Sequence, residues 1–124
     1  MDLCFTDAQL QFQSEVRDWI GRHLERPFTS EVRDSAHDAN SLVEVRRRWQ
    51  KKLNDAGYLG MRWATEWGGR GATEVEEAIL HAELNRADAP VIPNFLGVSL
   101  LGPALIHHGS EEQRRRFIPK MLSA

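Results

Sequence analysis

Apolar residues recur along this chain every three or four positions, and the recurrence is broken at a few well-marked places. Leu10, Phe12, Val16, Trp19, Ile20 and Leu24 form the first series, with Gln11, Glu15, Arg17, Asp18 and Arg22 between them. This is the spacing of one face of an α-helix. Thr6 with Gln9 predicts where that helix starts. The threonine hydroxyl accepts from the amide of Gln9, the glutamine side chain reaches back, and Phe5 packs on Leu10 as a staple. Pro27 predicts its end near Arg26, because the residue before proline is driven out of helical conformation. From Phe28 to Ser41 the chain is polar without a sustained period, which predicts a connector with room for a short helical turn.

A second helix is predicted from about Leu42 to Ala56, where Leu42, Val45, Trp49, Leu53 and Ala56 recur and Gly57 supplies a left-handed stop. Its other face carries Arg46, Arg47, Arg48, Lys51 and Lys52, the pattern of a solvated face. A loop holding Trp63 and Trp67 then tightens through Gly68, Gly69 and Gly71 and opens at Thr73, whose capping partner is Glu76. The third helix is expected to run from there to about Ala87. Val75, Ile79, Ala82 and Arg86 form one stripe, widened by Ala78, Leu80 and Leu84, so this helix is expected to be buried on more than one side. Asn94 is the candidate cap for the next segment. Phe95 to Gly109 carries no charge other than a protonated histidine, and is expected to be the most buried stretch. Gly102 followed by Pro103 is expected to kink or split it. Ser110 and Gln113 cap a last helix that Pro119 is expected to interrupt, leaving Met121 and Leu122 as an apolar end. Neither strand alternation nor an internal repeat occurs, so the pattern predicts an all-α domain.

Composition narrows the function classes without naming one. With 124 residues there is enough chain for one core, and the 41% hydrophobic and 27% charged content with net charge -2 is ordinary for a globular protein. The balance of 16 basic to 18 acidic residues argues against a dedicated nucleic-acid binder. Cys4 is the only cysteine, so no intrachain disulfide forms, and a reducing cytoplasm is the expected location. No apolar run approaches the length of a membrane span, and no leader pattern opens the chain.

Each candidate chemistry has a plainer explanation. The turn W-G-G-R-G-A-T before a helix resembles a phosphate cradle. It lacks the Gly-Lys-Ser/Thr of a Walker loop and the preceding strand of a dinucleotide fold, so a tight structural turn is the better reading. His107 and His108 are neighbours and point in different directions on a helix, which disfavours a shared metal. Glu76 with Glu77, and Glu111 with Glu112, sit in first helical turns where acidic residues complement the helix dipole. The residues alone predict a soluble helical domain with one unusually apolar, small-residue segment, and no reaction.

Taken together, four segments resemble the N-terminal helical domain of the acyl-CoA dehydrogenase family. They are F-T-D-A-Q-L-Q-F-Q-S-E-V-R-D-W at the start, G-Y-L-G-M-R-W-A-T-E-W-G-G-R-G-A-T, the helix E-E-A-I-L-H-A-E-L-N-R-A-D-A-P, and the ending G-P-A-L-I-H-H-G-S-E-E-Q-R-R-R-F-I-P-K-M-L-S. The resemblance covers nearly the whole chain, residues 1–124 as one domain. Trp67 stands in the acidic-aromatic-Gly-Gly turn where family members commonly have tyrosine. The resemblance implies α,β-dehydrogenation of an acyl-CoA thioester, in which a carboxylate removes the α proton and the β hydrogen leaves as hydride to FAD. It also implies a following β-domain that binds much of the FAD and a second helical domain that carries the catalytic glutamate. On this reading the sequence is a fragment, inactive alone, with no catalytic residue of its own and no metal, and no flavin-binding residue is assigned in it.

What the resemblance leaves to this chain is the shape of the acyl cavity. The helix ahead of the G-S-E-E-Q turn lines that cavity in similar enzymes, which here implies Phe95, Leu96, Val98, Ser99, Leu101 and Gly102. Gly97, Gly102 and the break at Pro103 suggest room for a branched or polycyclic acyl group. The partners implied are the acyl-CoA substrate, an electron-transfer flavoprotein or similar acceptor, and other subunits of a homo- or hetero-oligomer. The competing expectation is a non-catalytic helical module: a binding or scaffold domain, or a subunit that completes a site on another chain.

Overall fold

The computed structural model describes residues 4–34 and 38–123. Within them lie α1 (Asp7–His23), α2 (Phe28–Asp34), α3 (Ala39–Asp55), α4 (Glu74–Arg86), α5 (Gly102–His108) and α6 (Glu111–Ser123). A 3-10 turn at Thr65–Trp67 precedes α4, and a π turn at Gly97–Leu101 leads into α5. Among the described residues no strand occurs, and the expected all-α class holds.

The caps written in the sequence form as expected. Gln9 N–H donates to the Thr6 hydroxyl at 3.2 Å while Thr6 N–H donates to the Gln9 carboxamide oxygen at 2.9 Å. The same reciprocal pair closes at Thr73 and Glu76 (3.2 and 2.7 Å) and at Ser110 and Gln113 (3.2 and 2.9 Å). Gly57 turns left-handed after α3, with φ 75°.

Several boundaries differ from those the pattern predicts. Helix α1 stops at His23, because Leu24 turns extended and packs against both core clusters. The expected connector contains a true helix, α2, whose first amides are capped from the far side of the chain. Phe28 N–H donates to the Asp88 carbonyl at 2.7 Å, and Thr29 N–H and its hydroxyl donate to the Asp88 carboxylate at 2.8 and 2.5 Å. Residues 35–37 of that connector lie outside the described residues. Asp38 caps α3 by accepting from Asn40 N–H at 3.0 Å, so the helix begins at Ala39 rather than Leu42. Pro119 does not interrupt α6, which continues to Ser123. The proline withdraws one donor, at the carbonyl of exposed Arg115.

Two clusters make the core. Phe12, Val16 and Ile20 of α1 meet Met61 and Ile79 and Leu80 of α4. Trp49 and Leu53 of α3 meet Leu59, Trp63 and Ile118 and Leu122 of α6. The loop after α3 therefore feeds both clusters, with Met61 in one and Leu59 and Trp63 in the other. Helix α4 buries one side only. Ile79, Leu80 and Glu83 are inside, while Val75, Ala78 and Ala82 are exposed, contrary to the wider burial that the pattern suggests. The apolar end is covered, since Met121 and Leu122 are both buried.

Two buried polar groups tie these layers together. Glu83 on α4 is almost fully enclosed, and its carboxylate accepts from Arg17 Nε and Nη2 (2.9 and 2.8 Å), Gln13 Nε2 (3.1 Å) and Arg86 Nε (2.8 Å). Gln50 on α3 is completely buried. Its Nε2 donates to the Met121 and Leu122 carbonyls at 3.0 and 3.3 Å, and its Oε1 accepts from Asn94 N–H at 3.2 Å. Asn94 Nδ2 donates to the Met121 carbonyl as well, at 3.0 Å. The last carbonyls of a helix have no partner of their own, and α6 has its own satisfied by side chains from elsewhere.

The guanidinium of Arg17, and then that of Arg86, hold the Glu83 carboxyl down to about 2 from an ordinary 4.5, against the opposing effect of burial. A depressed carboxyl stabilises the fold fully above its unfolded value and loses that contribution as pH falls toward the folded one, here between pH 4.5 and about 2. Its size is on the order of 3 kcal/mol. Glu83→Gln should cost roughly 2 kcal/mol near pH 7 and flatten the acid-side slope in urea denaturation; an unchanged slope would contradict the assignment. Gly69 and Gly21 form a contrasting pair. A Cβ on Gly69 would stand 2.0 Å from the Trp63 carbonyl oxygen and 2.7 Å from that of Gly60, whereas one on Gly21 meets nothing within 4 Å. Gly69→Ala should therefore destabilise by roughly 3 kcal/mol, and Gly21→Ala should stabilise by about 0.5–1 kcal/mol, both read from thermal or urea melts.

Candidate functional site

The glycine turn is the first place where the sequence suggests a ligand, and its amides are already committed. Gly68 N–H donates to the Thr65 carbonyl, Gly69 to Ala64, Arg70 and Ala72 both to Met61, and Gly71 to Trp63, at 2.9 to 3.2 Å. The N-terminus of α4 is occupied by its own Glu76 carboxylate. No amide of this turn is left for a phosphate, and the plain structural reading holds. The same result bears on a flavin: the described glycine loop is not a cradle for its pyrophosphate. Among the described residues, no three or more His, Cys, Asp or Glu side chains gather in a way that could hold a metal.

The segment after Pro93 has a different character from the one its composition suggests. It is not the most buried stretch. Phe95 is 48% exposed, Leu96 66%, Leu100 65% and Leu101 51%, and only Gly97 and Gly102 are fully buried. The segment packs through one side and leaves the other, apolar side uncovered within this chain. A contiguous strip of this kind on a folded domain marks a surface that meets a ligand or another piece of protein. Ser99, also exposed, is the polar member of the strip.

The backbone that presents this strip is a single π turn. Gly102 N–H donates to the Gly97 carbonyl five residues back instead of four, which inserts one extra residue into the turn. Pro103 has no N–H to give, so the local helix ladder is already short of a donor at this point. The expected break at Gly102 and Pro103 is therefore absorbed by changed register, and α5 continues from Gly102.

The residues named from sequence separate into two sets. Phe95, Leu96, Ser99 and Leu101 lie on the open side. Val98 is half-buried and packs against the second core cluster, and Gly102 is buried facing Trp63. A Cβ at Gly102 would meet Trp63 Cζ2 at 2.4 Å and Cη2 at 2.6 Å, and one at Gly97 would meet the Asn94 side chain at 2.2 Å. The space beside each glycine is thus filled by the protein itself. Leu100 and Trp63 join these residues. Leu100 follows Ser99 on the open side, and the apolar run through Leu101 was signal enough to include it. Trp63 lies far from the strip in sequence, and nothing local connects them.

The family model described as acyl-CoA dehydrogenase, N-terminal domain, matches residues 6–124. The acyl-CoA dehydrogenase IpdE1 of Mycolicibacterium smegmatis is 36% identical over 113 residues, covering 90% of this chain and 29% of the relative. The mitochondrial isovaleryl-CoA dehydrogenase of Pongo abelii is 28% identical over 119 residues, 95% of this chain and 27% of that protein. Among solved structures, the Tcur3481-Tcur3483 steroid ACAD superposes with a TM-score of 0.76 at 30% identity, covering 99% of this chain and 30% of the other. The ChsE4-ChsE5 complex from Mycobacterium tuberculosis gives 0.75 at 27% identity, over 99% and 29% respectively. The chain spans about three-tenths of the length of these relatives. Matched over residues 6–124, the chain belongs to the acyl-CoA dehydrogenase family, in the part that forms the N-terminal helical domain.

Proposed function

We propose that this chain supplies the acyl-facing wall of an FAD-dependent acyl-CoA dehydrogenase, and that the strip Phe95, Leu96, Ser99 and Leu101, with Leu100, is that wall. The single observation behind the proposal is the uncovered apolar side of the π turn in a chain of this family. A hydrocarbon chain laid on it is removed from water, which is favourable by roughly 25 cal/mol per Å². The reaction of the complete enzyme is α,β-dehydrogenation of an acyl-CoA thioester, with relatives named for branched-chain and steroid substrates pointing to fatty-acid, branched-chain or steroid side-chain degradation. FAD, when bound, supplies the hydride acceptor, and segments outside this chain hold most of it. An electron-transfer flavoprotein or similar acceptor takes the electrons onward, and the setting is the cytoplasm. The complete protein works as a homo- or hetero-oligomer, in keeping with neighbours solved as two-component assemblies. What this chain's own residues do is bind and exclude water; proton abstraction belongs to a carboxylate elsewhere, and the isolated chain is inactive.

A second reading uses the same observation. A non-catalytic helical module, or a partner subunit that completes a site on another chain, would also keep an apolar strip open, with protein as the occupant. Substitution distinguishes the two. Leu96 and Leu101 are half exposed or more, so Leu96→Asn and Leu101→Asn should leave thermal stability of the domain nearly unchanged, within about 0.5 kcal/mol. In the complete enzyme each should raise KM for a hydrophobic acyl-CoA about five- to tenfold, the equivalent of one lost leucine contact. Unaltered KM together with loss of subunit association would favour the module. The chain alone should be colourless and without turnover in a dye-reduction assay, and flavin absorbance with turnover would overturn the claim of inactivity.

A further inference from the structure

We infer that Trp63 is a positioning residue that fixes how far the wall stands from the glycine loop, and that position 102 is glycine so that this indole fits behind it. The inference rests on the wall reading above and adds a determinant of cavity depth that lies outside the wall.

The indole is held from two sides. A Cβ at Gly102 would lie 2.4 Å from Cζ2 and 2.6 Å from Cη2, and a Cβ at Gly60 would lie 2.7 Å from both Cδ2 and Cε3. Both glycines therefore face the same six-membered ring at contact distance. The tryptophan backbone is pinned as well: its N–H donates to the Gly60 carbonyl at 2.8 Å, its carbonyl accepts from Gly71 N–H at 3.0 Å, and Gly69 presses on that carbonyl. Its side chain packs in the cluster with Trp49, Leu53, Leu59, Ile118 and Leu122, so withdrawing the indole would displace core residues.

The wall has an open side to move toward. Its ladder is in π register between Gly97 and Gly102, Pro103 contributes no donor, and the far side carries exposed Phe95, Leu96, Leu100 and Leu101. A side chain at position 102 thus moves the wall outward, into the space that the strip faces, and a smaller ring at position 63 lets it settle inward. Cavity depth becomes a property of the 63–102 pair. Bulky acyl groups, which need that depth, feel the change more than short linear ones.

The test uses the complete flavoenzyme with Gly102→Ala, Trp63→Phe and the double variant, measuring kcat and KM for a short linear and a branched or polycyclic acyl-CoA. Gly102→Ala should lower kcat/KM for the bulky thioester about tenfold more than for the linear one, chiefly through KM, in the range that one methylene is worth in an apolar pocket. Trp63→Phe should shift the ratio toward the bulky substrate. The double variant should recover to within about threefold of the parent ratio, because neighbours in contact are non-additive. A crystal structure of each variant gives an independent reading, with the Leu100–Leu101 backbone displaced outward in Gly102→Ala and restored in the double variant. Equal loss on both substrates, a double variant no better than Gly102→Ala, or an unmoved wall overturns the inference. Should Gly102→Ala fail to fold, Trp63→Phe alone decides by whether its wall moves inward. If the parent turns over no acyl-CoA, the wall reading fails, while the structures still decide the role of Trp63.

Discussion

The indole of Trp63, closed in between Gly60 and Gly102, is the contact on which the arrangement of this domain turns. On one side is the loop that follows α3, whose backbone is wound on itself through Met61, Trp63 and Ala64. On the other is the π turn with its uncovered apolar strip. The ring leaves no space for a side chain on either glycine, so loop and wall are set at one separation by volume exclusion. Protein interiors are close-packed and transmit displacements of this kind. The glycine turn thereby bears on the position of the open apolar strip.

Two buried polar groups give the same frame its orientation. Glu83 draws α1 and α4 together through Arg17 and Gln13, with Arg86 closing the set from its own helix. Gln50 joins α3 to the end of α6 and to Asn94, the residue from which the wall starts. A buried charge or amide without partners is costly. These groups fix helix register more narrowly than apolar contact alone, because each satisfies several partners at once only when the helices stand in this arrangement. The wall is therefore anchored at Asn94 by hydrogen bonds and at Gly102 by packing.

Much of this was legible in the sequence, and several of the exceptions depend on residues far apart in it. Caps at Thr6, Thr73 and Ser110 and the left-handed Gly57 are local chemistry, and all were readable. The start of α2 was not, because its cap is Asp88, fifty-nine residues away. Glu83 lies between Ile79, Leu80 and Leu84 on an apolar arc, and Gln50 lies beside Trp49; each is a polar residue at a core position, the local signature of a buried hydrogen-bonded group. The apolar content of the segment from Phe95 predicts burial, yet such content says only that a surface will be covered, not by what. Small residues at Gly97 and Gly102 suggested room for a ligand, whereas Asn94 and Trp63 occupy those spaces. Contacts between residues far apart in sequence leave no trace in periodicity.

On the function proposed, the open side of the π turn meets the acyl group in the complete enzyme. The most direct measurement is a crystal structure of that enzyme with a non-reactive acyl-CoA analogue bound. The predicted result places the acyl chain against Phe95, Leu96, Ser99 and Leu101, within van der Waals distance of roughly 4 Å, with Trp63 behind the wall and out of contact. A structure in which another domain or subunit covers that strip, with the acyl chain elsewhere, would contradict it.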